Sequence, residues 1–168
     1  MTWHVIEKAA DTGAILVQRS FAIEPDDTAF TLNARCFQAG QESFVELVRQ
    51  LASNELAPQP QDPGRRSYFG KHARPDALAV LDFAQSAEQV ARVVRAFDHG
   101  GYRNPIAVAK VRAAGGVFVP GGVECVAGTG AVPGTVTAVG DEFVQVACGS
   151  GEVRLLRPRC LRHGALGV

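Results

Sequence analysis

Apolar residues gather in two short runs near the start of the chain, Thr2-Trp3-His4-Val5-Ile6 and Ala14-Ile15-Leu16-Val17-Gln18, separated by the polar stretch Glu7 to Gly13. Runs of this length and β-branched content predict strands, and Asp11-Thr12-Gly13 supplies turn chemistry between them. Both runs are apolar enough to expect burial against a larger sheet, and the first strand starts with no turn, helix or cap before it. The pattern then changes period. Pro25-Asp26-Asp27-Thr28 reads as a helix start with Asp26 or Asp27 as the cap, and Phe30, Phe37, Phe44 and Leu51 recur every seven residues beyond it. Leu47 and Val48 widen that stripe, while Arg35, Glu42, Glu46 and Arg49 fall on the solvated side. This predicts a long amphipathic helix with the phenylalanines packed inward.

Pro58, Pro60, Pro63, Gly64 and Pro75 break all periodicity between Asn54 and Pro75, so this stretch reads as an extended linker leading to a second body. Past it, Ser86-Ala87-Glu88-Gln89 is a capping-box arrangement, followed by Val90, Val93, Val94 and Phe97 at helical spacing and stopped by Gly100-Gly101. From Pro105 to Arg157 the chain turns to short β-rich runs: Ile106 to Arg112, Val117 to Val119, Val123 to Val126, Thr135 to Val139, Phe143 to Cys148 and Val153 to Leu156. Gly115-Gly116, Gly121-Gly122 and Gly128-Thr129-Gly130 read as hairpin turns, since none ends in the Lys-Ser/Thr of a phosphate-binding P-loop. A helix followed by so many short strands predicts an OB-like or SH3-like barrel.

Composition narrows the function classes. Lys plus Arg and Asp plus Glu both number 17, and this zero net charge gives no argument for DNA, RNA or an anionic membrane as an overall partner. The charge is uneven, however: residues 1–62 hold 9 acids and 4 bases, and residues 63–168 hold 8 acids and 13 bases, so an anionic partner would meet the second part. Cys36, Cys125, Cys148 and Cys160 form no CxxC pair and the histidines are scattered, which argues against a zinc site and for reduced thiols in a cytoplasmic protein. The start of the chain carries Glu7, Lys8 and Asp11 where a signal peptide needs an apolar run. Cys125 to Gly140, the longest uncharged stretch, is too short and too rich in Gly and Pro to span a bilayer.

Taken in order, Thr2-Trp3-His4, Asp11-Thr12-Gly13-Ala14-Ile15-Leu16-Val17-Gln18, Asp27-Thr28, Ser86-Ala87, Arg95-Ala96-Phe97, Pro133-Gly134-Thr135-Val136 and Val146-Ala147-Cys148-Gly149-Ser150-Gly151 resemble the later part of the methionyl-tRNA formyltransferase superfamily. Arg66-Ser67-Tyr68-Phe69-Gly70, Lys71 to Pro75 and Tyr102-Arg103-Asn104-Pro105 are most similar to formyltransferase domains in starter modules of nonribosomal peptide synthetases. Sugar-nucleotide and tRNA-directed enzymes are the next resemblances. The resemblance implies that residues 1–55 are the end of a Rossmann-like catalytic domain, 56–75 a linker, and 76–168 an OB-like C-terminal domain. It also implies 10-formyltetrahydrofolate as donor in the complete enzyme, an upstream Rossmann-like segment carrying the folate-binding loops and an Asn-x-His motif, and an amine acceptor on a carrier protein, a sugar nucleotide or tRNA.

Formyl transfer to an amine needs oxyanion stabilisation and proton transfer to the leaving nitrogen. In the resemblance Asp11 matches the aspartate that orients the motif histidine and favours its charged form; as a plain turn residue it would close an Asx-turn before Gly13. His4, on the strand face opposite Trp3, is read as substrate-lining. Two basic clusters stand out: Arg65, Arg66, Lys71, His72 and Arg74, and, near the tail, Arg154, Arg157, Arg159, Arg162 and His163. Arg154 and Arg157 are the expected acceptor contacts, through phosphate groups. Two function classes follow. One is the second part of a formyltransferase, inactive alone and a weak binder of the folate. The other is a non-catalytic OB-like module recognising a carrier protein or RNA.

Overall fold

The computed structural model describes residues 1–70, 72–104 and 106–161, and the chain divides into two compact units, Met1–Lys71 and His72–Val168. Of the sequence expectations, those on Lys71, Pro105, Arg162 and His163 lie outside the described residues.

In the first unit, β1 (Thr2–His4) pairs antiparallel with β2 (Ile15–Gln18), with Trp3 opposite Val17 and a register irregularity between Trp3 and His4. The helix α1 (Ala29–Ala52) is capped by Thr28, not by an aspartate: Thr28 and Thr31 exchange side-chain-to-backbone hydrogen bonds in a capping box. Asp27 anchors the turn before it, accepting from the Glu24 N–H, Thr31 Oγ1 and Arg35, and these donors, the Glu24 amide first, hold its carboxyl below the usual range.

The helix buries Leu47 of the expected stripe, but its inward face is rotated away from the sevenfold phenylalanines. Gly40, Ser43 and Leu47 face inward, and Trp3 Nε1 donates to Ser43 Oγ at 2.9 Å. The small Gly40 and the hydroxyl of Ser43 let the strand approach closely; neither counts as hydrophobic in a periodicity. Phe37 is 78% exposed and Leu51 56%, while Phe44 lies beside Trp3 with ring centroids 5.4 Å apart. An apolar stripe this exposed should drive self-association. Sedimentation velocity across a concentration series should show concentration-dependent association that the Phe37→Ser/Val48→Ser variant reduces; an unchanged profile would refute the link. Beyond the helix the proline-rich segment turns back, and Gln59 pairs with Ile15 through two backbone hydrogen bonds of 2.8 Å.

The second unit opens with a tight turn at Asp76–Ala79, followed by α2 (Ala87–Ala96). Its capping box is the one the sequence indicates, with Ser86 and Gln89 bonded both ways. Ala87, Val90 and Val94 bury against a core of Leu81, Val146, Val153 and Leu155. Gly149 passes so close under Ala84 that a Cβ would stand 2.2 Å from the Ala84 carbonyl oxygen, which makes a side chain impossible there without movement.

The strands are β3 (Val111–Ala113), β4 (Gly116–Val119), β5 (Gly122–Val126), β6 (Val136–Val139), β7 (Phe143–Ala147), β8 (Glu152–Leu156) and β9 (Arg159–Leu161). They form a three-stranded sheet in the order β3-β4-β9 and a four-stranded sheet in the order β5-β8-β7-β6, and no closed barrel forms among the described residues. Both sheets belong to one bent antiparallel ribbon. One limb runs β4 to β5 through Pro120-Gly121, the other β8 to β9 through Arg157-Pro158, and the Gly121 N–H still donates to Leu156 O at 2.8 Å within the corner. Proline removes a ladder donor on each limb, and Arg157 takes the left-handed conformation (φ 43°), so the ribbon bends instead of extending. Gly121-Gly122 is therefore a corner and not a hairpin, whereas Gly115-Gly116 does close the β3–β4 hairpin.

The Gly128-Thr129-Gly130 turn wraps over Glu152, which is fully buried. Its carboxylate accepts from Thr129 Oγ1, the Thr129 N–H (2.7 Å), Thr137 Oγ1 (2.5 Å) and Gln145 Nε2 (2.8 Å). These donors, the Thr129 hydroxyl first, bring its pKa down to about 2. No helix among the described residues is long and apolar enough to cross a membrane.

Candidate functional site

The loop from β1 to β2 holds Asp11 in a fixed, exposed position. Gly13 is irreplaceable at its base, because a Cβ there would stand 1.8 Å from the Val5 carbonyl oxygen. The Val5 N–H donates to Ala14 O at 3.0 Å, Thr12 Oγ1 donates to Ala9 O at 2.9 Å, and Gln61 Nε2 reaches in from the returning segment to the carbonyls of Asp11 (3.1 Å) and Gly13 (2.6 Å). Asp11 itself has a left-handed backbone, φ 58°, which aspartate tolerates better than most residues.

Its carboxylate closes no Asx-turn. The side chain is 86% exposed, and its one partner among the described residues is His4 Nε2 at 3.5 Å. The other ring nitrogen, Nδ1, faces Val5 O at 2.9 Å. Strand alternation explains the placement: Trp3 points to α1 and His4 to the other face, as the sequence suggests.

A cavity of about 630 Å³ opens beside this pair, lined by Asp11, Thr12, Gln61, Arg65, Arg66 and Tyr68 among others. The Arg66 guanidinium lies 5.8 Å from the Tyr68 ring centroid and reaches Ala10 O at 3.5 Å. Part of the first basic cluster thus stands next to Asp11. Nothing in the sequence signals this, because the contact depends on Gln59 pairing with Ile15 across the whole length of α1.

Arg154 and Arg157 sit in the second unit. Arg154 on β8 shares its guanidinium with Glu124 (3.6 Å) and Gln145 (3.3 Å), its partners across the two neighbouring strands, and lies 4.5 Å from the Phe143 ring centroid. Arg157, at the ribbon corner, has no side-chain partner among the described residues and lines a smaller cavity of about 380 Å³ with Asp141, Glu142 and Arg159. Cys125 and Cys148 have thiols pushed up by burial, and no group of three or more metal-ligating side chains exists among the described residues.

Comparison with known proteins gives a consistent set of relatives. Residues 76–160 match the family described as formyl transferase, C-terminal domain. The chain is 38% identical over 153 residues to a methionyl-tRNA formyltransferase of Aromatoleum aromaticum, covering 89% of this chain and 45% of that protein. Against the methionyl-tRNA formyltransferase of Stenotrophomonas maltophilia the identity is 33%, over 89% of this chain and 47% of that one. The chain therefore spans somewhat under half the length of these curated relatives. Among solved structures, an N-formyltransferase from Helicobacter canadensis in complex with folinic acid and dTDP-3-aminofucose has the same fold over 92% of this chain and 54% of that one, with a TM-score of 0.72 and 17% identity. HypX from Aquifex aeolicus in complex with tetrahydrofolic acid superposes over 96% of this chain and 27% of that one, with a TM-score of 0.68 and 19% identity.

Proposed function

The chain belongs to the formyl transferase C-terminal domain family, and from that membership we propose that it is the acceptor-binding second part of a 10-formyltetrahydrofolate-dependent formyltransferase that also supplies one catalytic residue, Asp11. Residues 1–55 then close the catalytic domain, 56–75 link it, and 76–168 form an OB-like recognition domain. The carrying observation is an exposed carboxylate held on a glycine-locked loop with no hydrogen bond from its own turn. A carboxylate so held orients an imidazole and stabilises its positive charge. His4 lines the same face, where it contacts the acceptor.

The folate-binding loops implied by the family resemblance belong to the upstream segment, so the first unit is not expected to hold the folate by itself. A groove of about 520 Å³ beside α1 is mostly apolar, lined by Met1, Trp3, Phe37 and Phe44 with Asn33 and Gln41 as its polar side chains. We assign that groove to the upstream catalytic segment, whose apolar residues would cover it. Isothermal titration of the chain with 10-formyltetrahydrofolate should accordingly show no micromolar binding; a micromolar isotherm would contradict this placement.

The acceptor is an amine. An aminoacyl group on a carrier protein is the first candidate, from the similarity of Arg66 to Gly70 and Tyr102 to Asn104. Methionyl-tRNA is the second reading, favoured by the identity to the Aromatoleum enzyme. In either case Arg157, and Arg154 from the middle of β8, would meet acceptor phosphate. The two are separated by a chimera in which this chain replaces the second part of the Aromatoleum enzyme, assayed with each acceptor. A non-catalytic module for a carrier protein or RNA remains the competing class, and it requires the chimera to bind an acceptor without transferring formyl.

A further inference from the structure

The second unit carries a cavity that the proposed reaction does not use. It measures about 320 Å³ and lies between the end of α2, the loop after it and the start of the ribbon corner. Val94, Phe97 and Val108 give it apolar walls, and His99, Arg103 and Arg159 stand on its margin. The loop is fixed by its own bonds: Asn104 Nδ2 donates to Phe97 O at 3.2 Å, and the Gly100 N–H donates to Asp98 Oδ1 at 2.8 Å. That second bond occupies one oxygen of Asp98, the one carboxylate on the lining among the described residues. Arg159 stands opposite Val119 in the β4–β9 pair, so sheet register sets its place. None of the three basic side chains has a hydrogen-bond or ion-pair partner among the described residues.

Two guanidiniums and an imidazole without side-chain partners among the described residues, set beside an apolar hollow with one acid turned to a backbone amide, form a recognisable chemistry. We propose that this cavity binds a small molecule in which one anionic group, a phosphate ester or a carboxylate, is attached to an apolar or aromatic body. The guanidiniums take the anion through paired N–H donors, and the body sits against Phe97 and Val94. The volume is at the low end of small-molecule pockets, which excludes a whole dinucleotide or folate.

The test uses the full chain, with 1H–15N spectra recorded during titration by phenyl phosphate, benzoate, inorganic phosphate and phenol. Saturable shifts of the Phe97 to Asn104 amides with phenyl phosphate or benzoate are expected, and whichever binds tighter identifies the anion. Inorganic phosphate and phenol should each bind at least about tenfold more weakly. Arg103→Ala/Arg159→Ala should weaken binding by about tenfold or more, since charge-assisted hydrogen bonds are lost. Val108→Trp should block it by filling the hollow while keeping both arginines. Arg92→Ala, an exposed cation of α2 off the cavity, should leave it unchanged. Absence of saturable shifts with both aromatic anions, equal affinity for inorganic phosphate, or undiminished binding in the folded double variant would overturn the proposal.

Discussion

Replacing Asp11 by Asn in the chimera should lower turnover by about a hundred- to ten-thousand-fold, the range of general acid–base contributions, with little change in the KM for the acceptor. The amide keeps the shape of the carboxylate, and the loop does not depend on the side chain: Gly13, Thr12 and Gln61 hold the turn through other atoms. What the substitution removes is charge. The histidine of the upstream Asn-x-His motif then loses both its orientation and the stabilisation of its protonated form, and the loss belongs to the chemical step. If the Asn variant turns over at close to the parent rate, Asp11 is a turn residue and the catalytic assignment fails.

The second large effect concerns Glu152. Replacing it with Leu leaves the Thr129 N–H, two hydroxyls and the Gln145 amide without their acceptor inside the second unit, and buried donors without partners are costly. The melting temperature of that unit should fall by more than about 8 °C, or the unit should fail to fold. Glu152→Gln should be milder but still destabilising, because its NH2 must face a donor. The acid dependence has a definite sign. The folded carboxyl titrates at about 2 against an ordinary 4.5, so between those values the unfolded chain binds the extra proton. The stabilisation is therefore complete above about pH 5 and is lost as the pH falls through about 2. Circular-dichroism melts between pH 7 and 2.5, with hydrogen exchange at β7 and β8, should show this decline in the parent and a flatter one in Glu152→Gln. Equal pH slopes would contradict the assignment.

Local signals survived the passage from sequence to structure, and signals that depend on distant partners did not. The Ser86–Gln89 capping box needs only four consecutive residues, and it appears as expected. The position of α1 and the burial of Leu47 were legible, but the rest of its buried face was not, since Gly40 and Ser43 serve closeness and a hydrogen bond to Trp3 instead of hydrophobicity. β9 escaped notice because Arg159-Cys160-Leu161 follows a proline and becomes a strand only through pairing with β4. The expected barrel gives way to a bent two-sheet ribbon, since the bends at Pro120 and Arg157 act together only once β5 and β8 are paired. At the candidate site, Asp11 and His4 were recognisable from the ordered motif series. Gln61 and the place of Arg66 beside Asp11 were not, and in the second unit neither was the Glu152 cradle, each being assembled across a long separation in the chain.

The most direct measurement is formyl transfer by the chimera that joins the first part of the Aromatoleum aromaticum enzyme to this chain, compared with that first part alone, using labelled 10-formyltetrahydrofolate and both acceptors. Transfer of label to the amine of one acceptor by the chimera, well above the level given by the first part alone, is the expected result. A chimera that folds and binds both the folate and an acceptor, yet transfers no label to either, would contradict the assignment of this chain as the second part of a formyltransferase.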